Sequence, residues 1–483
     1  MTVAAATSGA AERPGVAETP GAAERPGVAE TPEASPFAVR GVIEGYYGRP
    51  WTHEQRLRLI DFLGVRGMNT FVYTPKDDPL VRRDWRSAYD GDALARLGEL
   101  LDRCRANGLG LTYCTSPGLD IRYSDEAELR VLVAKLQSVA ALGVDSFGLL
   151  LDDIPLVLQH AEDRAAFSDL ASAHVHVIDR VFRALGPTAT LTVSPTIYCG
   201  TGTEPYLAQL GAGMDPRVGL YWTGRSICAE TLDLADAAAF ARTTNRLPTY
   251  WDNYPVNDVA MGYELHIGPY QGRDPHLWRA SDGIVANGME LFESSLIPFA
   301  TIADYLRAPQ SYDPETSWLR AIRDVVGDAD AEAFALFADN VRSSCLSESD
   351  APIVSQALEV FHFRHNRGDG VAAAAELGAL ADRLLAAAAH LLRGPVMNRA
   401  LVNEARPWLV AFELGAQALR AIADLAASGS LATDGPVVLR PFQIGLRRLR
   451  VRVFGDALEM TLSDLTGMMF RPGEVPEFEG GGT

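Results

Sequence analysis

Between Phe37 and about residue 305, short apolar or β-branched runs alternate with stretches whose apolar residues recur every three or four positions. Eight such runs can be counted, at 39–44, 70–74, 109–115, 146–151, 190–194, 219–222, 248–251 and 283–286. The stretches between them, 126–142 and 164–185 among them, carry the period of amphipathic helices. Eight strands alternating with helices predict an α/β fold, a (β/α)8 TIM barrel. The competing arrangement, an open doubly wound sheet, lacks support because no Gly-rich phosphate loop follows the first run.

Beyond about residue 305 the alternation stops. Ala- and Leu-rich helical sequence, as at 371–392 and 409–427, then predicts a helical bundle domain over 306–428 following the barrel at 37–305. Residues 429–483 carry no decisive pattern: Leu449, Val451 and Val453 alternate with Arg450 and Arg452 as in a strand, yet the region also fits a helix. At the other end, the twelve residues 9–20 recur unchanged at 21–32, rich in Pro, Gly, Ala and Glu and without an aromatic. Such a segment buries too little apolar surface to offset its ordering entropy, so 1–36 reads as a disordered leader.

Polar and aromatic residues stand at or just past the carboxyl ends of the eight runs: Glu44 to Tyr47, Lys76 to Asp78, Ser116, Asp152 with Asp153, Tyr198, Trp222, Trp251 to Asn253, and Asn287. In a barrel those ends converge on the face that carries active sites. Charge narrows the chemistry, since 62 acidic against 43 basic residues give a net −19. That balance opposes nucleic acid, anionic membranes and polyanionic polymers as partners. No uncharged apolar stretch reaches the length of a spanning helix, and the amino terminus shows neither a basic nor an apolar signal region, so a cytoplasmic location is expected. The five cysteines are widely spaced with no CxxC pair, and reduced thiols are expected.

Adjacent acids after a buried strand have three readings: a helix N-cap, a metal site, or acid/base catalysis. A metal would need further ligands, and the one close histidine pair, His174 and His176, is splayed apart by its i, i+2 spacing within a predicted helix. Most glycosidases set two carboxyl groups on opposite sides of a sugar, roughly 5 to 9.5 Å apart. Neighbours on one strand end cannot easily do so. They suit a reaction whose nucleophile comes from the substrate: the 2-acetamido oxygen of an N-acetylhexosamine attacks C1, one Asp orients the acetamide and the other protonates the leaving oxygen. The like charge of Asp152 is expected to raise the pKa of Asp153.

The run Gly41 to Thr52 containing Glu44-Gly45-Tyr46-Tyr47, then Tyr73 to Pro79 containing Lys76-Asp77-Asp78, Ser116-Pro117-Gly118, Leu151-Asp152-Asp153-Ile154, Pro195 to Cys199, Tyr221-Trp222-Thr223-Gly224 and Trp251 to Asp258 together resemble the O-GlcNAcase family, glycoside hydrolase family 84. The resemblance implies a retaining exo-β-N-acetylglucosaminidase acting on a β-N-acetylglucosaminide glycoconjugate or glycoprotein through an oxazoline intermediate, with no metal or organic cofactor. It implies Asp152 as the acetamide-polarising residue and Asp153 as general acid and then base. Lys76 and Asn253 would hold sugar hydroxyls or the acetamide region, Asp258 the 4- and 6-hydroxyls, and Asn287 the polar edge of the ring. Gly45 would leave room for the sugar, and Tyr198 would line the acetamide pocket, with Tyr46 and Trp251 as further binding residues. Plainer readings stand beside these: Lys76 as a surface ion pair, Tyr46, Tyr47, Tyr198 and Trp251 as rim packing, Asn253 and Asn287 as turn residues. Ile197 departs from the resemblance, where an acidic residue often stands. The competing functions are a hyaluronidase-like endo-hexosaminidase, which the net charge opposes, and a non-catalytic glycan-binding barrel, which the presence of both acids opposes. Homodimerisation through the helical domain is left open.

Overall fold

A computed structural model describes residues 35–469; the expected leader therefore lies, but for its last two residues, outside the described span. Eight strands, β1 (Val39–Glu44), β2 (Thr70–Tyr73), β3 (Gly110–Thr115), β4 (Ser146–Leu150), β5 (Thr190–Ser194), β6 (Gly219–Trp222), β7 (Pro248–Asp252) and β8 (Gly283–Asn287), close into a parallel barrel in chain order, with β8 pairing back onto β1. The runs looked uniformly apolar because both faces of each strand are covered. Val42, Phe71, Tyr113, Leu149 and Tyr250 pack outward against the helical layer, while their neighbours Ile43, Val72, Cys114, Leu150 and Trp251 join Tyr221 and Val285 in a core inside the barrel. That inner plug closes the barrel beneath the face where the strands end.

The outer layer consists of α1 (His53–Val65), α2 (Gly91–Ala106), α3 (Glu126–Ala140), α4 (Ala161–Ala166), α5 (Leu170–Leu185), α6 (Pro205–Gly213), α7 (Leu234–Thr244) and α8 (Phe292–Arg307). The helical stretch expected at 164–185 is two helices. Phe167 is extended, and Asp169 caps α5 by accepting from the Ser172 backbone at 2.8 Å while the Ser172 hydroxyl accepts from the Asp169 N–H.

After the barrel come α9 (Pro314–Val326), α10 (Ala331–Asp339), α11 (Pro352–His365), α12 (Gly370–Arg393), α13 (Arg399–Glu404), α14 (Arg406–Ala427), α15 (Leu431–Leu449) and α16 (Gly455–Thr466), which share a second core. The α8 helix joins the two layers and is buried from Phe292 to Leu306. Its amino terminus has no cap of its own. Glu404 of α13 supplies one, accepting from the backbone N–H groups of Glu293 (3.1 Å) and Ser294 (2.9 Å), where a carboxylate also complements the helix dipole. Within the stretch that gave no decisive pattern, 431–449 is helical. Pro436 and Pro441 inside it remove backbone donors and blur the helical signal, and packing between α14 and α16 restores the helix. The alternation at Leu449 to Val453 belongs to neither a strand nor a helix beyond Leu449: it is an irregular link in which the Arg452 N–H donates to Tyr263 O. Among the described residues no helix is long and apolar enough to cross a membrane.

One buried ion pair fixes the end of β7. Arg273 holds Asp252 through Nε (3.0 Å) and Nη2 (2.6 Å), and the Tyr270 hydroxyl donates to the same carboxylate at 2.5 Å. Both charged side chains are almost wholly buried. Replacing Arg273 with Met would strand a buried carboxylate, so R273M should lose about 3–5 kcal/mol, read as an earlier urea midpoint.

Candidate active site

The carboxyl ends of the strands surround a cavity of about 370 Å³, within the range of small-molecule sites. Into it face Gly45 and Tyr47 after β1, Lys76 after β2, Asp152 and Asp153 after β4, Tyr198 after β5, Cys228 after β6, Trp251 and Asn253 at the end of β7, Asp258, and Asn287 closing β8. Seven strand ends thus contribute to one wall.

Successive side chains of a strand point to opposite faces, yet both acids face this cavity. Asp153 takes a left-handed backbone with φ +53°, which breaks the alternation three residues past the end of β4 and costs of order 1 kcal/mol or more for a non-glycine residue. Lys76, almost fully buried, makes a short ion pair with Asp152 Oδ2 and lies 3.8 Å from Asp153 Oδ2. It also sits over the rings of Trp251 (5.3 Å) and Tyr47 (5.6 Å). The other Asp152 oxygen, Oδ1, is buried and has no hydrogen-bond partner. An unpaired buried carboxylate oxygen is costly, and Asp152 carries this one at the cavity wall.

Asp153 is gripped from two sides, accepting from Tyr47 Oη at 2.7 Å and Tyr198 Oη at 2.9 Å, while Arg82 Nη2 donates to its carbonyl oxygen at 3.1 Å. Burial pushes the Asp153 carboxyl up, but the Lys76 ammonium and the two phenol donors outweigh burial and hold it below the usual aspartate value. The upward shift expected from Asp152 is therefore reversed, because two phenol donors and the Lys76 cation surround the carboxylate. Asp258, by contrast, is pushed up by burial; its Oδ2 accepts from the Tyr47 N–H at 2.7 Å.

Asn287 Oδ1 accepts from the Gly45 N–H (3.0 Å) and its Nδ2 donates to Asn253 Oδ1 (3.0 Å), while Asn253 Nδ2 donates to Ile227 O (2.8 Å). This chain of amides ties β8, β7 and the loop after β6 together. A Cβ at Gly45 would stand 2.3 Å from Trp251 Cζ2, so the glycine admits the Trp251 ring as much as any ligand. Of the ten site residues read from the sequence, nine line the cavity; Tyr46 does not. It is buried, donates to Arg49 O at 3.1 Å and packs on Trp51 with ring centroids 5.4 Å apart. The residue facing the cavity is its neighbour Tyr47. Among the described residues no group of three His, Cys, Asp or Glu side chains could hold a metal ion.

A family model described as β-N-acetylglucosaminidase matches residues 40–339, the whole barrel and the first helices after it. The chain belongs to this family of glycoside hydrolases. It is 34% identical over 274 residues to the protein O-GlcNAcases of Rattus norvegicus and Mus musculus, a match that takes in 56% of this chain and 30% of theirs. The chain thus spans about a third of the length of those curated relatives. Among solved structures, a mutant of the Thermobaculum terrenum O-GlcNAc hydrolase superposes with a TM-score of 0.84 at 32% identity, covering 89% of this chain and 95% of that one. The structure of CpGH84B superposes with a TM-score of 0.80 at 25% identity, over 89% and 77%.

Two residues bonded to Asp153 were not picked out from sequence. Tyr47 read as rim packing, and Arg82 follows the Lys76-Asp77-Asp78 turn at no spacing that marks it. Tyr198 offers a direct check on the grip. Tyr198→Phe removes one donor to the Asp153 carboxylate, so the Asp153 pKa should rise, and the alkaline limb of the kcat/KM profile should move to higher pH.

Proposed function

We propose that the chain is a retaining exo-β-N-acetylglucosaminidase working by substrate assistance. The observation that carries the reading is the Asp152–Asp153 pair turned to one cavity with Asp152 Oδ1 buried and unpaired. Two carboxylates on the same side suit an acetamide nucleophile: Asp152 accepts the acetamide N–H and increases the negative charge on its oxygen, which attacks C1 from within the sugar. Lys76, ion-paired with Asp152 Oδ2, holds that carboxylate in place. Asp153 donates its proton to the leaving oxygen as the oxazoline forms, then removes a proton from the water that opens it. Since Lys76, Tyr47 and Tyr198 hold Asp153 low, binding has to loosen that grip; excluding water and drawing Tyr47 or Tyr198 to the sugar or acetamide would raise the carboxyl toward a working acid.

In this reading Asp258, Lys76, Asn253 and Asn287 contact hydroxyls, Tyr198 and Trp251 form the acetamide wall, and Gly45 lets that wall close. Residues 37–305 form the catalytic unit, and the helices from α9 to α16, which share one core past residue 428 as far as Thr466, form a helical domain that braces it. Three aspartates against one lysine line the cavity, which disfavours the uronate groups of a hyaluronidase substrate.

The test is hydrolysis of a chromogenic β-N-acetylglucosaminide beside the matching β-glucoside. The expected result is release from the first and essentially none from the second. Comparable rates would overturn substrate assistance; no release from either would leave a glycan-binding barrel.

A further inference from the structure

Only two of the chain's 43 Lys and Arg residues are lysines, Lys76 and Lys135. Lys76 meets the two acids of the site. Lys135 stands on α3, is 3% exposed, and meets carbonyl oxygens: its ammonium donates to Leu80 O, to Trp85 O (3.0 Å) and to Ser87 O (3.0 Å). An ammonium has three N–H donors and no acceptor, so these carbonyls use all of them. Burial pushes its pKa down to about 8 while the charges of Asp78 and Asp84 act the other way, which leaves it protonated at neutral pH. The planar fork of an arginine does not fit three carbonyls closing on one point. That geometry accounts for a lysine here in a chain that otherwise uses arginine.

The three carbonyls belong to the segment that follows β2, which curls around the ammonium. Turns within it are closed by the Asp84 N–H on Pro79 O (2.7 Å) and the Ser87 N–H on Asp84 O (2.8 Å). Its inner edge bears on the ends of two strands. Val81 O accepts from the Ser116 N–H just past β3 (2.8 Å), and Arg82 Nη2 donates to Asp153 O past β4 (3.1 Å). The Arg82 side chain is buried, and its Nη1 has no partner. The bond to Asp153 O is the one hydrogen bond this guanidinium makes among the described residues.

We propose that Lys135 is a positioning residue for the acid pair. By gathering the carbonyls of Leu80, Trp85 and Ser87 it holds Arg82 against the Asp153 carbonyl, and so fixes the left-handed turn that aims the Asp153 carboxylate. Neither Lys135 nor Arg82 lines the cavity, so both act through Asp153. A non-glycine residue keeps a left-handed backbone only where its surroundings hold it there. Without the ammonium three carbonyls lose their donor, the segment opens, and Arg82 withdraws from the turn. A misplacement of about 1 Å at a reacting group costs roughly a hundredfold in rate. Here the cost falls on the step in which Asp153 gives its proton to the leaving oxygen.

The rate part rests on the proposed glycosidase reading; the bracing of the turn does not. Lys135→Met, Arg82→Met and the double variant of the full chain are compared by hydrogen exchange with mass spectrometry, and by steady-state hydrolysis of an alkyl and a nitrophenyl β-N-acetylglucosaminide. Lys135→Met should speed exchange at 80–87 and also at 152–157, whereas Arg82→Met should speed it at 152–157 alone. In each single variant kcat on the alkyl glycoside should fall by about tenfold to a hundredfold with KM nearly unchanged, and the nitrophenyl glycoside should lose far less. The double variant should be no slower than the slower single one, because both substitutions break one path.

Faster exchange in Lys135→Met confined to 80–87 would overturn the proposal, as would equal losses on the two glycosides or losses that multiply in the double variant. Should Lys135→Met fail to fold, Arg82→Met carries the test, and unchanged exchange at 152–157 in that variant would overturn the proposal. Faster exchange at both segments in a chain whose native form hydrolyses neither glycoside would uphold the bracing and refute the glycosidase reading alone.

Discussion

Asp153→Asn is expected to lower hydrolysis of a β-N-acetylglucosaminide with an alkyl or protein-hydroxyl leaving group by about 10²–10⁴-fold, the usual contribution of a positioned general acid. The size of the loss should depend on the leaving group. An activated nitrophenol departs without a proton, so its release in the oxazoline-forming step should fall far less, and slow hydrolysis of the intermediate should appear as a burst. The asparagine keeps the shape of the side chain and can still accept from Tyr47 or Tyr198 through its oxygen. A stopped-flow comparison of the two leaving groups checks this, and an equal loss for both would remove Asp153 from the acid role.

Asp152→Asn should behave differently. Its carboxylate acts on the nucleophile, so the loss, about 10²–10³-fold by analogy with removal of one electrostatic stabiliser, should be nearly the same for good and poor leaving groups. Lys76 would lose its short partner but keep Asp153 at 3.8 Å, so the variant should remain folded by circular dichroism. The discriminating quantity is the ratio of the two variants' rates across leaving groups. A ratio that does not change with leaving-group pKa would mean the two acids do not divide the work as proposed.

The barrel was legible because its signal is local and repeated. Each strand needs only four to six apolar residues in a row, and every helix between them shows its own period, so eight weak signals pointed to one topology. Boundaries moved by a residue or two, as where Asp252 and Asn287 extend β7 and β8. The helix α15 was not legible, since Pro436 and Pro441 argue locally against it and only its neighbours supply the opposing energy. In the site, the side chains at strand ends were readable because parallel strands deliver their ends to one face. Tyr46 and Tyr47 were not separable in the same way: one turn after β1 sends the first into the core against Trp51 and the second over Asp153.

By itself the sequence determined the barrel, the face that carries the chemistry, and the pair of neighbouring acids at its centre, because hydrophobic period and strand order are properties of nearby residues. Two matters were decided only by the tertiary structure. The left-handed turn at Asp153 brings both carboxylates to one cavity, and the ring of Lys76, Tyr47 and Tyr198 reverses the expected shift of Asp153. Each depends on groups far apart in the chain coming within a few ångströms, where charge and hydrogen bonding act and local pattern carries no information.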